Sequence, residues 1–192
     1  MKAKALILSL FIASSACEAH AQGTVLFANF ASGVNAPVTN TAGERIIGPS
    51  PYVADLFWST DTSSSLDSLT AAGFNQPFST LTLNGGGYFL AGTRSLQAGA
   101  ELILGQVRVW DMGYGATYNQ ARSNGGEFGY SNPFVITLAV PLAPATPMTG
   151  LQGFQLSRIP EPSATLLVVA AIALWCWLRK GNRSAVIQQR NY

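Results

Sequence analysis

The sequence predicts a mainly β protein: a single antiparallel β-sandwich or jelly-roll-like domain followed by one C-terminal transmembrane helix. Three observations carry this. Residues 22–159 hold several short β-prone runs separated by turn residues. No helical periodicity lasts three turns there. Near the end, residues 164–178 form an apolar run without a charge.

Taken in order, residues 24–30 and 52–59 read as strands, the latter with Leu56, Phe57 and Trp58 in succession. Residues 80–83 alternate Thr and Leu, reach Asn84-Gly85-Gly86-Gly87, and resume at 88–91. Asn-Gly between two such runs predicts a hairpin, because type I′ turns need positive φ at both central residues. Residues 101–111 give the strongest strand. Val107 and Val109 face one way there, Gln106 and Arg108 the other, and Gly105 marks an expected bulge. Residues 133–140 put Phe134, Ile136, Leu138 and Val140 on one face, and 149–156 read as the last strand. A short helix is expected to start within 59–68, capped by Asp61 or Thr62. Residues 141–147 are Pro/Ala-rich and read as a loop. Regular spacing without intervening helices argues for the sandwich.

The ends are organised differently. Met1-Lys2-Ala3-Lys4, an apolar run over 5–16 and Ala19-His20-Ala21 are the basic region, hydrophobic region and small-x-small site of a secretory signal. Signal peptidase is expected to cut after Ala21, leaving Gln22 first and residues 1–21 as the leader. A lipoprotein would be acylated on Cys17, but Ser14-Ser15-Ala16 lacks the aliphatic residue that normally opens a lipobox. At the other end, the 164–178 run spans about 22 Å as a helix, short of a ~30 Å hydrocarbon core. Trp175, Trp177, Arg179 and Lys180 at its end offset part of the deficit by interfacial seating and snorkelling. Basic residues Arg179, Lys180 and Arg183 hold that end in the cytoplasm, so the preceding domain faces outward.

In order, Pro160-Glu161-Pro162, the short apolar helix and the basic cluster resemble a PEP-CTERM sorting signal. Such signals occur on exported proteins of Gram-negative bacteria that make extracellular polysaccharide. The resemblance implies recognition and cleavage near the motif by a membrane protease-transpeptidase, the exosortase. The implied location is transiently the inner membrane, with the domain outside the cytoplasm, then the cell surface or extracellular matrix. The division is therefore a signal peptide over 1–21, an extracytoplasmic β-rich domain over 22–159, a sorting signal over 160–183 and a short cytoplasmic tail over 184–192. Gly23-Thr24-Val25, Ala36-Pro37-Val38, Gln106-Val107-Arg108-Val109-Trp110-Asp111 and Gly150-Leu151-Gln152-Gly153-Phe154 are similar to recurring pieces of other proteins with this tail. That group has no established activity to carry over.

Composition narrows the chemistry. Residues 22–159 carry five basic and seven acidic side chains, and every lysine lies outside them. A nucleic-acid partner would need clustered Lys and Arg, so none is expected. Cys17, Cys176 and His20 all fall in the terminal segments, leaving the domain without thiol or imidazole. Ser-His-Asp and Cys-His catalysis are thereby excluded, and zinc or copper sites disfavoured. Asp55, Asp61, Asp67 and Asp111 could ligate calcium but are scattered. Glu101, Asp111 and Glu127 could supply a glycosidase pair, though nothing in their spacing selects two. No catalytic residue, metal or cofactor is expected. The expectation is a non-enzymatic structural or adhesive protein; the alternative is a carbohydrate-binding module acting on extracellular polysaccharide. Trp110, Tyr114 and Trp58 are the candidate stacking residues, within a wider aromatic set that includes Tyr118 and Tyr130.

Overall fold

The computed structural model describes residues 23–82, 85–140, 142–159 and 172. The leader with Ala19, Ala21 and Gln22, the Pro160-Glu161-Pro162 motif, the apolar run, Arg179, Lys180, Arg183 and the 184–192 tail lie outside the described residues, Ile172 excepted. Among the described residues, no helix is long and apolar enough to cross a membrane.

The chain is mainly β. Its first strands are β1 (Gly23–Ala28), β2 (Phe30–Ala31), β3 (Val34–Asn35), β4 (Val38–Thr39) and β5 (Tyr52–Ser59). A 3-10 turn (Leu66–Ser68), β6 (Thr70–Ala71), β7 (Gln76–Pro77), β8 (Leu90–Leu96) and β9 (Leu102–Asp111) follow. Then come helix α1 (Tyr118–Ser123), β10 (Glu127–Tyr130), β11 (Phe134–Thr137), β12 (Thr146–Pro147), β13 (Phe154–Gln155) and β14 (Ser157–Arg158).

The large sheet runs β14-β10-β9-β5-β6, with β11 also on β9 and β7 also on β5. Its spine is the antiparallel β5–β9 pair, in unbroken register from Tyr52↔Asp111 to Ser59↔Leu104. The other edge of β9 is shared: β11 takes Leu102–Gly105 and β10 takes Arg108–Trp110. Ser131 bridges the interval. Its N–H donates to Val107 O at 2.9 Å, and its Oγ accepts Val107 N–H at 3.0 Å. A smaller sheet, β12-β1-β8, lies against one face of the large one. Val25 and Phe27 of β1 meet Leu56, Ile103, Val107, Ile136 and Met148 in one core. The opposite face of the large sheet carries α1, where Tyr118 and Ala121 pack on Val53, Trp110 and Phe128.

Several expectations need correction. Pairing is not purely antiparallel, since β1–β12 and β4–β13 are parallel. Among the described residues of the expected 80–91 hairpin, no strand forms before Leu90. Gly85, Gly86 and Gly87 all take positive φ, which no ladder continues, and Gly87 instead donates to Ile46 O and accepts from Val38 N–H. Strand β8 starts only at Leu90 and pairs with β1. Gly105 is no bulge: a Cβ there would meet Ile136 Cδ1 at 2.9 Å and Leu56 Cδ1 at 3.3 Å, so the position is set by close packing. Val140 is 66% exposed, because the chain leaves the large sheet after Thr137 and bridges to Thr24 through Ala139. Residues 149–151 turn instead of extending, with Gly150 at φ 95°. Between 59 and 68 only the 3-10 turn forms, capped by Ser65, while Asp61 Oδ1 accepts from Ser63 N–H and Oγ–H.

Candidate functional site

The helix-bearing face of the large sheet contains a cleft of about 480 Å³. Its floor is Gln106 and Arg108 of β9, and its walls are Tyr118, Asn119 and Arg122 of α1, Tyr130 of β10, and Leu66 and Asp67. Both ends of α1 have local causes. Thr117 Oγ1 accepts from Gln120 N–H at 3.3 Å as the N-cap. At the other end Gly126 N–H reaches Ala121 O at 2.9 Å and Gly125 N–H reaches Arg122 O at 3.4 Å, with Gly125 at φ 75°. That paired closure is a Schellman motif, which needs a left-handed residue after the cap. The helix sits by burying Tyr118, whose ring stands edge-on to Trp110, Phe128 and Phe57 at 6.3, 5.8 and 6.0 Å. Asn119 and Arg122 are thereby left exposed at the rim.

Arg108 is only 8% exposed. Its Nε donates to Gln106 Oε1 at 2.9 Å, and its Nη2 donates to Leu66 O. The guanidinium lies 4.2 Å from the Phe57 ring centre and 5.2 Å from that of Tyr118. Gln106 is itself fixed by its Nε2 donating to Ser131 O at 3.1 Å. Asp55 stands opposite Arg108 in the β5–β9 register, but it does not neutralise it. Its carboxylate accepts from Leu56, Phe74 and Gly73 N–H at 2.8, 2.8 and 3.0 Å. Among the described residues, no carboxylate is within ion-pair distance of Arg108 or Arg122. Burial lowers the Arg108 pKa, and the nearby Arg122 lowers it further against the pull of Tyr118 and Asp67. Burial pushes the Tyr118 phenol up to about 12, so it is a neutral hydroxyl near pH 7.

The aromatic residues singled out from sequence do not come together. Trp110 is 2% exposed beneath α1 and has no face free for a sugar, so its stacking role is withdrawn. Its indole Nε1 is sealed without a hydrogen-bond partner among the described residues. Trp58 packs on the opposite face, against the main core. Tyr114 is 39% exposed and lies beside Arg158, whose guanidinium is 5.8 Å from its ring centre. Tyr118 and Tyr130, from the wider set, do line the cleft. Arg108, Gln106, Asn119 and Arg122 were not chosen from sequence. The alternation of Gln106 and Arg108 against Val107 and Val109 already put two of them on one face, but the six-residue α1 gave no periodic signal.

Of the three candidate carboxylates, Asp111 and Glu127 accept donors from the fold itself. Glu101 precedes β9 and Asp111 ends it, roughly 30 Å apart at ~3.3 Å per residue, far beyond the ~5–10 Å of a glycosidase pair. Asp111 Oδ1 accepts from Gly113 N–H at 2.8 Å. Glu127 has both oxygens engaged, with Thr41 Oγ1 at 2.7 Å and Tyr52 OH at 2.8 Å. Burial pushes Glu127 up, but these donors and Arg158 outweigh it and hold the carboxyl below its usual range. Among the described residues, no three His, Cys, Asp or Glu side chains are grouped to hold a metal ion. Comparison with family models, curated proteins and solved structures finds no match to this chain.

Proposed function

We propose that this is an exported surface or extracellular-matrix protein, non-enzymatic in its β-rich domain, whose tail is sorted by an exosortase. The supporting sequence order is leader, domain, Pro160-Glu161-Pro162, apolar helix over 164–178, basic cluster. The observation that carries it is the end of β14. This edge strand closes at Arg158, two residues before Pro160, so the motif follows the last sheet pairing directly. Two prolines there cannot donate backbone hydrogen bonds and bias their neighbours to extended conformations, as a protease cleft requires. The two sheets around one core are read as a sandwich with jelly-roll-like character. Signal peptidase, the exosortase and the inner membrane are the partners in this reading, with no nucleic acid and no cofactor. Mass spectrometry of exported protein tests its first step. The expected N-terminus is Gln22 or its pyroglutamate; lipid on Cys17 would contradict it.

The second reading, a carbohydrate-binding module, is favoured by the cleft itself. It combines an exposed aromatic ring, Tyr130, with the amide of Asn119 and two guanidinium groups. Its volume lies in the usual range of small-ligand sites. A glycan-binding screen on the exported protein separates the two: a specific hit supports the module, and its lack leaves the structural role.

A further inference from the structure

We infer that the cleft beside α1 binds the oxyanion of an acidic sugar, with Arg122 and Arg108 taking the charge and Tyr130 offering its ring face. The inference rests on the carbohydrate-binding reading and adds the class of ligand.

Charge comes first. The cleft gathers two guanidinium groups, Arg108 and Arg122, and one carboxylate, Asp67, in a domain that is otherwise weakly acidic. One positive charge is left without a partner. Arg108 is more than nine-tenths buried, where an unpaired cation is costly unless its donors are used. Two of its nitrogens are used, Nε on Gln106 and Nη2 on Leu66 O. Nη1 makes no hydrogen bond among the described residues and is not one of the sealed, unpartnered atoms, so a donor with solvent access remains on a residue that lines the cleft. Stacking against Phe57 and Tyr118 fixes the plane of that donor in advance. Arg122 sits at the exposed rim with its guanidinium 5.4 Å from the Phe128 ring centre, free of any carboxylate within ion-pair distance among the described residues. A buried, immobilised guanidinium and a second at the rim suit a planar or tetrahedral oxyanion.

The sugar part comes from the rest of the wall. Tyr130 stands opposite Arg108 in the β9–β10 register and is 58% exposed, so its ring is presented beside the charge. An aromatic face covers the apolar side of a pyranose, while the Asn119 amide supplies both a donor and acceptors for hydroxyls. A bare inorganic anion would use the arginines and leave these groups idle.

The test measures binding to the full-length chain in detergent at low salt by titration calorimetry. Four probes are used: an oligogalacturonate, a sulfate-ester galactose oligomer, a neutral galactose oligomer of equal length, and poly-glutamate. At least one acidic oligomer should bind tenfold or more tightly than the neutral one, as charge-assisted hydrogen bonds require. Which of the two binds identifies carboxylate or sulfate as the source of the oxyanion. Arg122→Gln, at an exposed position, and Tyr130→Ala should each weaken that binding at least tenfold with an unchanged melting curve. Neutral oligomer bound as tightly, or an Arg122→Gln protein that binds undiminished, overturns the inference and leaves the carbohydrate-binding reading standing. No binding of any sugar ends both. Poly-glutamate bound with equal affinity and the same Arg122 dependence overturns the sugar assignment.

Discussion

Arg158 stands across from Glu127 in the β10–β14 pair, and its Nη2 lies 3.8 Å from Glu127 Oε1. Glu127 also takes the hydroxyls of Thr41 and Tyr52. One carboxylate thus joins the last edge strand, the loop after β4 and the start of β5. Arg158 is half exposed, so the ion pair itself adds less than about 1 kcal/mol, and the two hydroxyl donors matter more.

Acid should therefore loosen this junction. The folded-state pKa of Glu127 is depressed, so its contribution is present above the unfolded value near ~4.3 and is lost as pH falls through the folded one. Asp55 works in the opposite sense: burial raises its pKa against its backbone donors, so its contribution is fullest at low pH and declines as pH rises. Melting temperatures of wild type and Glu127→Gln between pH 3 and 6 separate them. The wild-type curve should fall more steeply on acidification than the variant's; parallel curves would refute this role.

Asn29 should be one of the most sensitive positions in the fold. It is 1% exposed, its Nδ2 donates to Ala36 O at 2.7 Å and Gly87 O at 2.8 Å, and its Oδ1 accepts from Phe89 N–H at 2.7 Å. Asn29→Ala strands two buried backbone groups, Ala36 O and Phe89 N–H, while Gly87 O keeps the Val38 N–H, and a loss of about 2–5 kcal/mol is expected at roughly 1–3 kcal/mol per orphaned group. Urea unfolding measures it, and a loss near zero would show that water or relaxation satisfies those groups.

Gly105 gives a sharper test of packing. Gly105→Ala should cost about 1–3 kcal/mol through overpacking. Ile136→Val removes the Cδ1 atom that the new methyl meets at 2.9 Å, so the double variant should recover part of that loss. Strictly additive effects in a double-mutant cycle would contradict the contact.

Strands carried by side-chain alternation were legible in sequence. Tyr52–Ser59 matches its expected bounds, and β9 starts one residue later than expected. Elements fixed by backbone geometry were not legible. Three successive glycines looked like a hairpin turn and instead form a non-ladder connection, while the two-residue strands β12 and β13 are held by parallel partners distant in sequence. The cleft was half legible. Tyr118 and Tyr130 were within the aromatic set, but Trp110 was drawn inward by α1, a helix whose only sequence marks are Thr117 and the Gly125-Gly126 closure.

Topology of the tail gives a further expectation. Replacing Arg179, Lys180 and Arg183 with Gln removes the charges that, in the proposed topology, hold the segment's end in the cytoplasm. Precursor should then slip outward before it is cut, and protease protection of the C-terminus in spheroplasts should be lost. Full protection in that variant would mean that the apolar run fixes orientation without them.

The most direct test of export and sorting is the fate of Glu161→Ala in a host that carries an exosortase. Export should remain intact while maturation is blocked. In fractionation, the variant should stay with the membranes and run larger than the mature wild type by about the mass of the tail. If Glu161→Ala is released at the wild-type mature size, the tail is an anchor only and the sorting assignment is wrong.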